Sequence, residues 1–174
     1  MFISVLNIST RRYHRGVTPD DDDILRLENQ LCFALVTAAR NVVSIYRPVL
    51  EPLGLTHPQY LVMLALWERS PRTLNDLAGD LAMEPATASP LVKRLEKEGL
   101  IARGRSSEDE RRLEIVLTDA GRALRERALD VPHQVMAAVQ MDLDQVAALR
   151  DGVSRFAGRT ARVIADEAAA STLG

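Results

Sequence analysis

Apolar residues return every three to four positions along most of this chain, the spacing of amphipathic helices, and only one stretch breaks that rhythm. From about Asp23 to Leu50 two stripes run side by side. Ile24, Leu27, Leu31, Leu35, Ala38, Val42, Ile45 and Val49 trace one; Leu25, Cys32, Val36, Ala39, Val43, Tyr46 and Leu50 trace the other. The pattern predicts one long first helix, ended by Pro52 and Gly54. It carries more apolar surface than one globular flank buries, so a partner subunit is expected to cover the second stripe. Thr56 and Gln59 have capping-box spacing, with Pro58 in the first turn, ahead of a helix from His57 to about Arg69. Its core face is Tyr60, Leu61, Leu64 and Trp67.

The stretch from Leu74 to Thr118 organises the rest. Thr73 can cap a short helix, with Asp76 three residues on, and Leu74, Leu77, Ala78 and Leu81 recur at helical spacing. Pro85 starts a second helix whose apolar face is Leu91, Val92 and Leu95, although Pro90 removes a backbone bond to Ala86. Gly99 sits where a left-handed cap is wanted, and Leu100 packs back after it. From Leu100 to Arg105 and from Arg112 to Leu117 the residues alternate in part, with a polar hairpin tip between them. Two short helices, a turn and a charged hairpin are the layout of a winged helix-turn-helix, a DNA-reading module.

Beyond it, Thr118 caps a helix starting at Asp119, Pro132 bends or breaks that helix, and a last helix runs from about Asp144 to Ala168. Leu143, Val146, Leu149, Val153, Phe156 and Val163 supply its stripe. The expected fold class is mainly α with a small β-wing. A flexible tail covers residues 1–20, the winged module 55–118, and a helical dimerisation region is assembled from 21–54 and 119–170. Pairing would set two recognition helices about one DNA turn apart, roughly 34 Å.

Charge changes this picture little. The 174 residues carry a formal net charge of −2, so any basic surface has to be local. Around the hairpin tip Arg103, Arg105, Arg111 and Arg112 stand against Glu108, Asp109 and Glu110. Arg11, Arg12, His14 and Arg15 form a second basic cluster in the tail, either disordered or an arm touching DNA phosphates. A single cysteine excludes an intrachain disulfide framework and a Cys-rich zinc site, and neither a metal nor a cofactor is expected. No apolar run reaches membrane-spanning length, and the opening MFISVL is too short for a signal-peptide core. A cytoplasmic, reducing location is the expectation.

Asp109-Glu110-Arg111 followed by Leu117-Thr118, together with Leu95-Glu96-Lys97-Glu98-Gly99-Leu100-Ile101, resembles the MarR family of bacterial transcriptional regulators over about residues 24–165. Leu27 to Leu35, Tyr46-Arg47-Pro48-Val49-Leu50, Gly54-Leu55-Thr56 and Pro58 to Val62 resemble its organic-hydroperoxide-sensing OhrR branch. The resemblance implies a homodimer on double-stranded operator DNA and no enzyme activity. It makes Cys32 the peroxide-reactive residue, with hydroxyl donors from the other subunit. Two positions depart from the branch pattern: His57 and Val36 stand where tyrosines are usual, leaving Tyr46. There is no second cysteine for an intersubunit disulfide, so the resemblance is to one-cysteine sensors.

On this reading Thr87, Ser89, Lys93 and Arg94 face the major groove, the plain alternative for the last two being a solvated helix face. Arg111 enters the minor groove, oriented by Asp109. Cys32 lies more than two turns inside the first helix, too deep for help from its dipole, so donors must be side chains. Tyr46, fourteen residues on, is about 21 Å away at ~1.5 Å per residue and reaches only the partner's thiol. His57 is either a helix-start surface residue or a site member. The expected function is repression relieved when an organic hydroperoxide oxidises Cys32. One alternative is release by a small aromatic or phenolic ligand in an intersubunit pocket, with Cys32 structural. A more distant one is a thiol peroxidase.

Overall fold

A computed structural model describes residues 21–105 and 113–172, with the side chains of 23–105 and 113–162. It divides into two compact units, residues 1–48 and 49–174.

In the first unit the long helix expected from Asp23 is not continuous. A single turn, α1 (Asp21–Ile24), and a 3-10 turn at Leu27–Asn29 precede α2, which spans Leu31–Leu50 and ends in the second unit. The reason is local competition for the backbone. The Asn29 side-chain amide donates to the Asp23 carbonyl at 2.6 Å, and that of Gln30 donates to the Ile24 carbonyl at 2.5 Å. Gln30 itself is extended, so the helix restarts after it.

The second unit holds α3 (His57–Glu68), β1 (Arg72–Thr73), α4 (Leu74–Asp80), α5 (Pro85–Lys97), β2 (Ile101–Arg105), β3 (Leu113–Leu117), α6 (Asp119–Ala128), α7 (Val131–Val139) and α8 (Leu143–Thr172). The strands form one antiparallel sheet in the order β1-β3-β2, with Ile115 paired to Arg72 on one side and Arg103 on the other. The edge strand β1 carries no alternating run, which is why pattern alone does not find it. The breaks expected at Gly54, Gly99 and Pro132 are all present, Pro132 standing in the first turn of α7.

The starts of α4, α6 and α8 follow the sequence because their signals are local. The Thr73 hydroxyl accepts from the Asp76 N–H at 3.2 Å, while the Asp76 carboxylate accepts from the Thr73 N–H at 3.1 Å. The Thr118 hydroxyl accepts from the Gly121 N–H at 3.1 Å, and Asp142 with Gln145 makes a reciprocal cap for α8. Helix ends follow too. Gly99 (φ 74°) closes α5 with Leu100 N–H on the Leu95 carbonyl at 3.0 Å and Gly99 N–H on the Glu96 carbonyl at 2.9 Å. The same paired bonds close α4 around Ala82, whose φ of 50° puts a residue with a Cβ where glycine is preferred.

The core sits beneath the winged module. Leu50, Val62, Met63, Leu66, Leu77, Val92, Leu95, Ile101 and Ile115 are fully buried. The expected stripe of α3 is corrected here: Tyr60 is buried, Leu61 and Trp67 are half-buried, and Leu64 is exposed. The helix packs against α4, α5, α6 and β3, so burial follows no single stripe and takes in Gln59, Val62, Met63, Ala65 and Leu66.

Candidate DNA interface and thiol site

On α5 the residues separate by angle around the axis. Ala88, Val92 and Leu95 point into the core, with Leu91 and Ser89 half-buried at its margins. Thr87, Pro90 and Arg94 follow one another at i, i+3 and i+7 on the exposed side, with Lys93 beside them. Four of the six DNA-site residues read from sequence are therefore grouped on or beside one accessible face. Pro90 belongs to that face, and Ala86, whose carbonyl loses its helical N–H partner to the proline, is itself an exposed residue. Asp109 and Arg111 lie outside the described residues.

Two braces hold this helix that pattern reading did not find. The Arg103 Nε donates to Glu96 at 2.8 Å and its backbone N–H to the same carboxylate at 3.3 Å, tying strand β2 to the last turn of α5. The Arg103 hydrogen bond holds the Glu96 carboxyl below its usual range. Gln59, buried at the start of α3, donates to Glu98 at 3.2 Å, and Glu98 accepts from Arg94 Nε at 3.3 Å. The spacing Glu96 to Arg103 across the Gly99 turn was the available signal for the first brace. Nothing local marks the second.

Cys32 is exposed and is the second residue of α2. This corrects the expectation of a thiol deep in a helix, because the side-chain caps at Asn29 and Gln30 move the helix start to its door. The first-turn N–H groups of a helix lack intrahelical partners, so backbone donors stand near this sulfur. Tyr46 lies further along the same helix, half-buried, and burial pushes its phenol up, so the hydroxyl remains protonated and able to donate. His57, the first residue of α3, is also half-buried, and desolvation pulls its pKa down. An imidazole of that kind is neutral at pH 7 and offers an N–H rather than a positive charge.

A helix-turn-helix followed by a hairpin wing, with a polar exposed face on its second helix, defines a winged-helix transcriptional regulator. The MarR family model matches residues 55–113. The organic hydroperoxide resistance transcriptional regulator of Bacillus subtilis is 38% identical over 131 residues, 75% of this chain and 89% of that protein. The HTH-type transcriptional regulator TtmR of Methylorubrum extorquens is 40% identical over 146 residues, covering 80% of this chain and 75% of TtmR. Among solved structures, reduced AbfR bound to DNA superposes with a TM-score of 0.66 at 31% identity, over 81% of this chain and 99% of that one. The chain belongs to the MarR family of DNA-binding transcriptional regulators. Family and fold are those of regulators rather than enzymes, and no helix among the described residues is long and apolar enough to cross a membrane.

Proposed function

We propose that the protein is a dimeric repressor that leaves its operator when an organic hydroperoxide oxidises Cys32. The observation that carries this reading is the exposed thiol in the first turn of α2. The relatedness to a hydroperoxide-resistance regulator and to AbfR, also solved in a disulfide-formed state, supports it. The Cys32 thiolate attacks the terminal oxygen of the hydroperoxide: an S–O bond forms, the O–O bond breaks, and the alkoxide leaves and takes a proton as the alcohol. Sulfur is oxidised to a sulfenic acid while the hydroperoxide is reduced. A small cellular thiol then condenses with the sulfenic acid, releasing water and leaving a mixed disulfide. Its bulk forces apart the helices packed around Cys32, and the paired recognition helices lose their spacing.

In this dimer residues 21–54 and 119–170 form the shared helical region and 55–118 the DNA module. Ile24, Leu27, Leu31, Val36, Val42 and Val43 in and before α2 are exposed in the single chain, as are Leu149, Val153 and Phe156 of α8. Burial of those stripes is the driving force we assign to dimerisation. Thr87, Ser89, Lys93 and Arg94 meet the major groove, Arg111 the minor groove with Asp109 orienting it, and the partner's Tyr46 donates to the Cys32 sulfur. His57 joins that pocket as a neutral donor.

Cys32→Ser decides the matter. The variant is expected to bind operator like the parent and to stay bound after cumene hydroperoxide. Peroxide-induced release by the variant ends the proposal. A second reading keeps the fold and changes the trigger to a small aromatic ligand, with Cys32 a bystander. In that reading the ligand sits between the subunits; within one chain, a separate cavity of about 260 Å³ is walled by Tyr60, Leu64, Trp67, Leu129 and Pro132, with both Glu68 and Arg125 at its lining. Release of DNA by an aromatic carboxylate under reducing conditions would select that trigger.

A further inference from the structure

Arg72 is the one fully buried cation among the described residues, 3% exposed on the edge strand β1. One guanidinium nitrogen donates to the Ala65 carbonyl of α3 at 3.3 Å, and another pairs with the Asp80 carboxylate at the end of α4. Its Nε is buried without a hydrogen-bond partner. Stability does not account for this arrangement. Burying a guanidinium and orphaning one of its donors is costly, and an apolar side chain of similar volume generally serves a core as well or better.

What the side chain does supply is direction. Its backbone is in register with Ile115 of β3, and Ile115 is in turn in register with Arg103 of β2, so Arg72 belongs to the sheet that carries the wing. Its far end is fixed to Asp80, the residue from which the chain enters the turn around Ala82 and then α5. A planar fork held by α3 and α4 fixes orientation as an aliphatic chain cannot. We propose that Arg72 is a positioning residue for operator recognition: it sets the wing strands at a fixed pitch to the helix-turn-helix, so that both engage one duplex together. The inference rests on DNA binding by the winged module and not on the thiol reading, so either survives failure of the other.

The test uses the full-length protein and the duplex it selects from a random pool, with a scrambled duplex of equal length as the non-specific probe. Arg72→Met should melt at or above the parent temperature and bind the scrambled duplex within twofold. Its affinity for the selected duplex should fall at least tenfold with the salt slope unchanged, because a buried residue releases no counterions. Asp80→Asn keeps an acceptor oxygen for the guanidinium but removes its countercharge, so it should melt below the parent, and its binding is measured well below that melting temperature. It should lose selected-duplex affinity in the same way, and the double variant should be no worse than the poorer single one. Selected-duplex affinity within twofold of the parent in Asp80→Asn, or equal losses on both duplexes, overturns the proposal. Additive losses in the double variant do the same.

Discussion

Two carboxamide side chains set where Cys32 stands in its helix. Asn29 and Gln30 draw off the Asp23 and Ile24 carbonyls and stop the chain from continuing α1 into α2. The thiol thereby stands in a helix's first turn rather than its interior. Replacing both with alanine, the best helix former, should let the helix run through and remove the terminal N–H groups from the sulfur. Iodoacetamide alkylation at pH 7 is expected to slow several-fold. An unchanged rate would mean that the helix start does not tune this thiol. Such a break was hidden in the sequence because the apolar stripe runs unbroken through residues 24–31 and only the amide geometry interrupts it. Arg72 was hidden for the opposite reason: an arginine beside a proline reads as loop surface, and only the fold reveals that it is enclosed.

At the scale of elements, the helices and wing strands were legible wherever their signals lay within four residues. Thr73 with Asp76, Thr118, Gly99 and Pro132 all act as read. The two-residue strand β1 and the encircled helix α3 were not, because their environment comes from distant segments. The Asp76 carboxylate is held below its ordinary range by the Thr73 hydrogen bonds, first the side-chain one. Its folded pKa is thus lower than its unfolded one, so its contribution is complete above the unfolded value near 4 and fades as pH falls through the folded value. Asp76→Asn, at a site open to water, should cost only ~0.3–1 kcal/mol at pH 7. The gap should shrink on acidification in urea unfolding, and a gap that widens in acid contradicts this origin. For the wing, Arg111→Ala is expected to weaken operator binding at least tenfold at fixed salt. Unchanged binding would remove Arg111 from the interface we propose.

At the scale of the whole molecule, the reading proposed above makes the chain half of a pair. Stripes on α2 and α8 that no single chain covers predict a dimer by sedimentation at micromolar concentration, and a stable monomer there would leave the proposed switch without its second reading head. How motion would travel is already built in at Gly121. A methyl group at that position would come within 2.0 Å of the Leu100 carbonyl oxygen, so the first turn of α6 rests directly on the residue that follows the Gly99 cap of α5 and leads into β2. The same carbonyl accepts the Thr118 N–H at 3.1 Å, and the Thr118 hydroxyl donates to Gly99 at 2.6 Å. Like a tiller fixed to its rudder post, α6 is joined here to the end of α5 through backbone, and a tilt of α6 is expected to turn α5 with it.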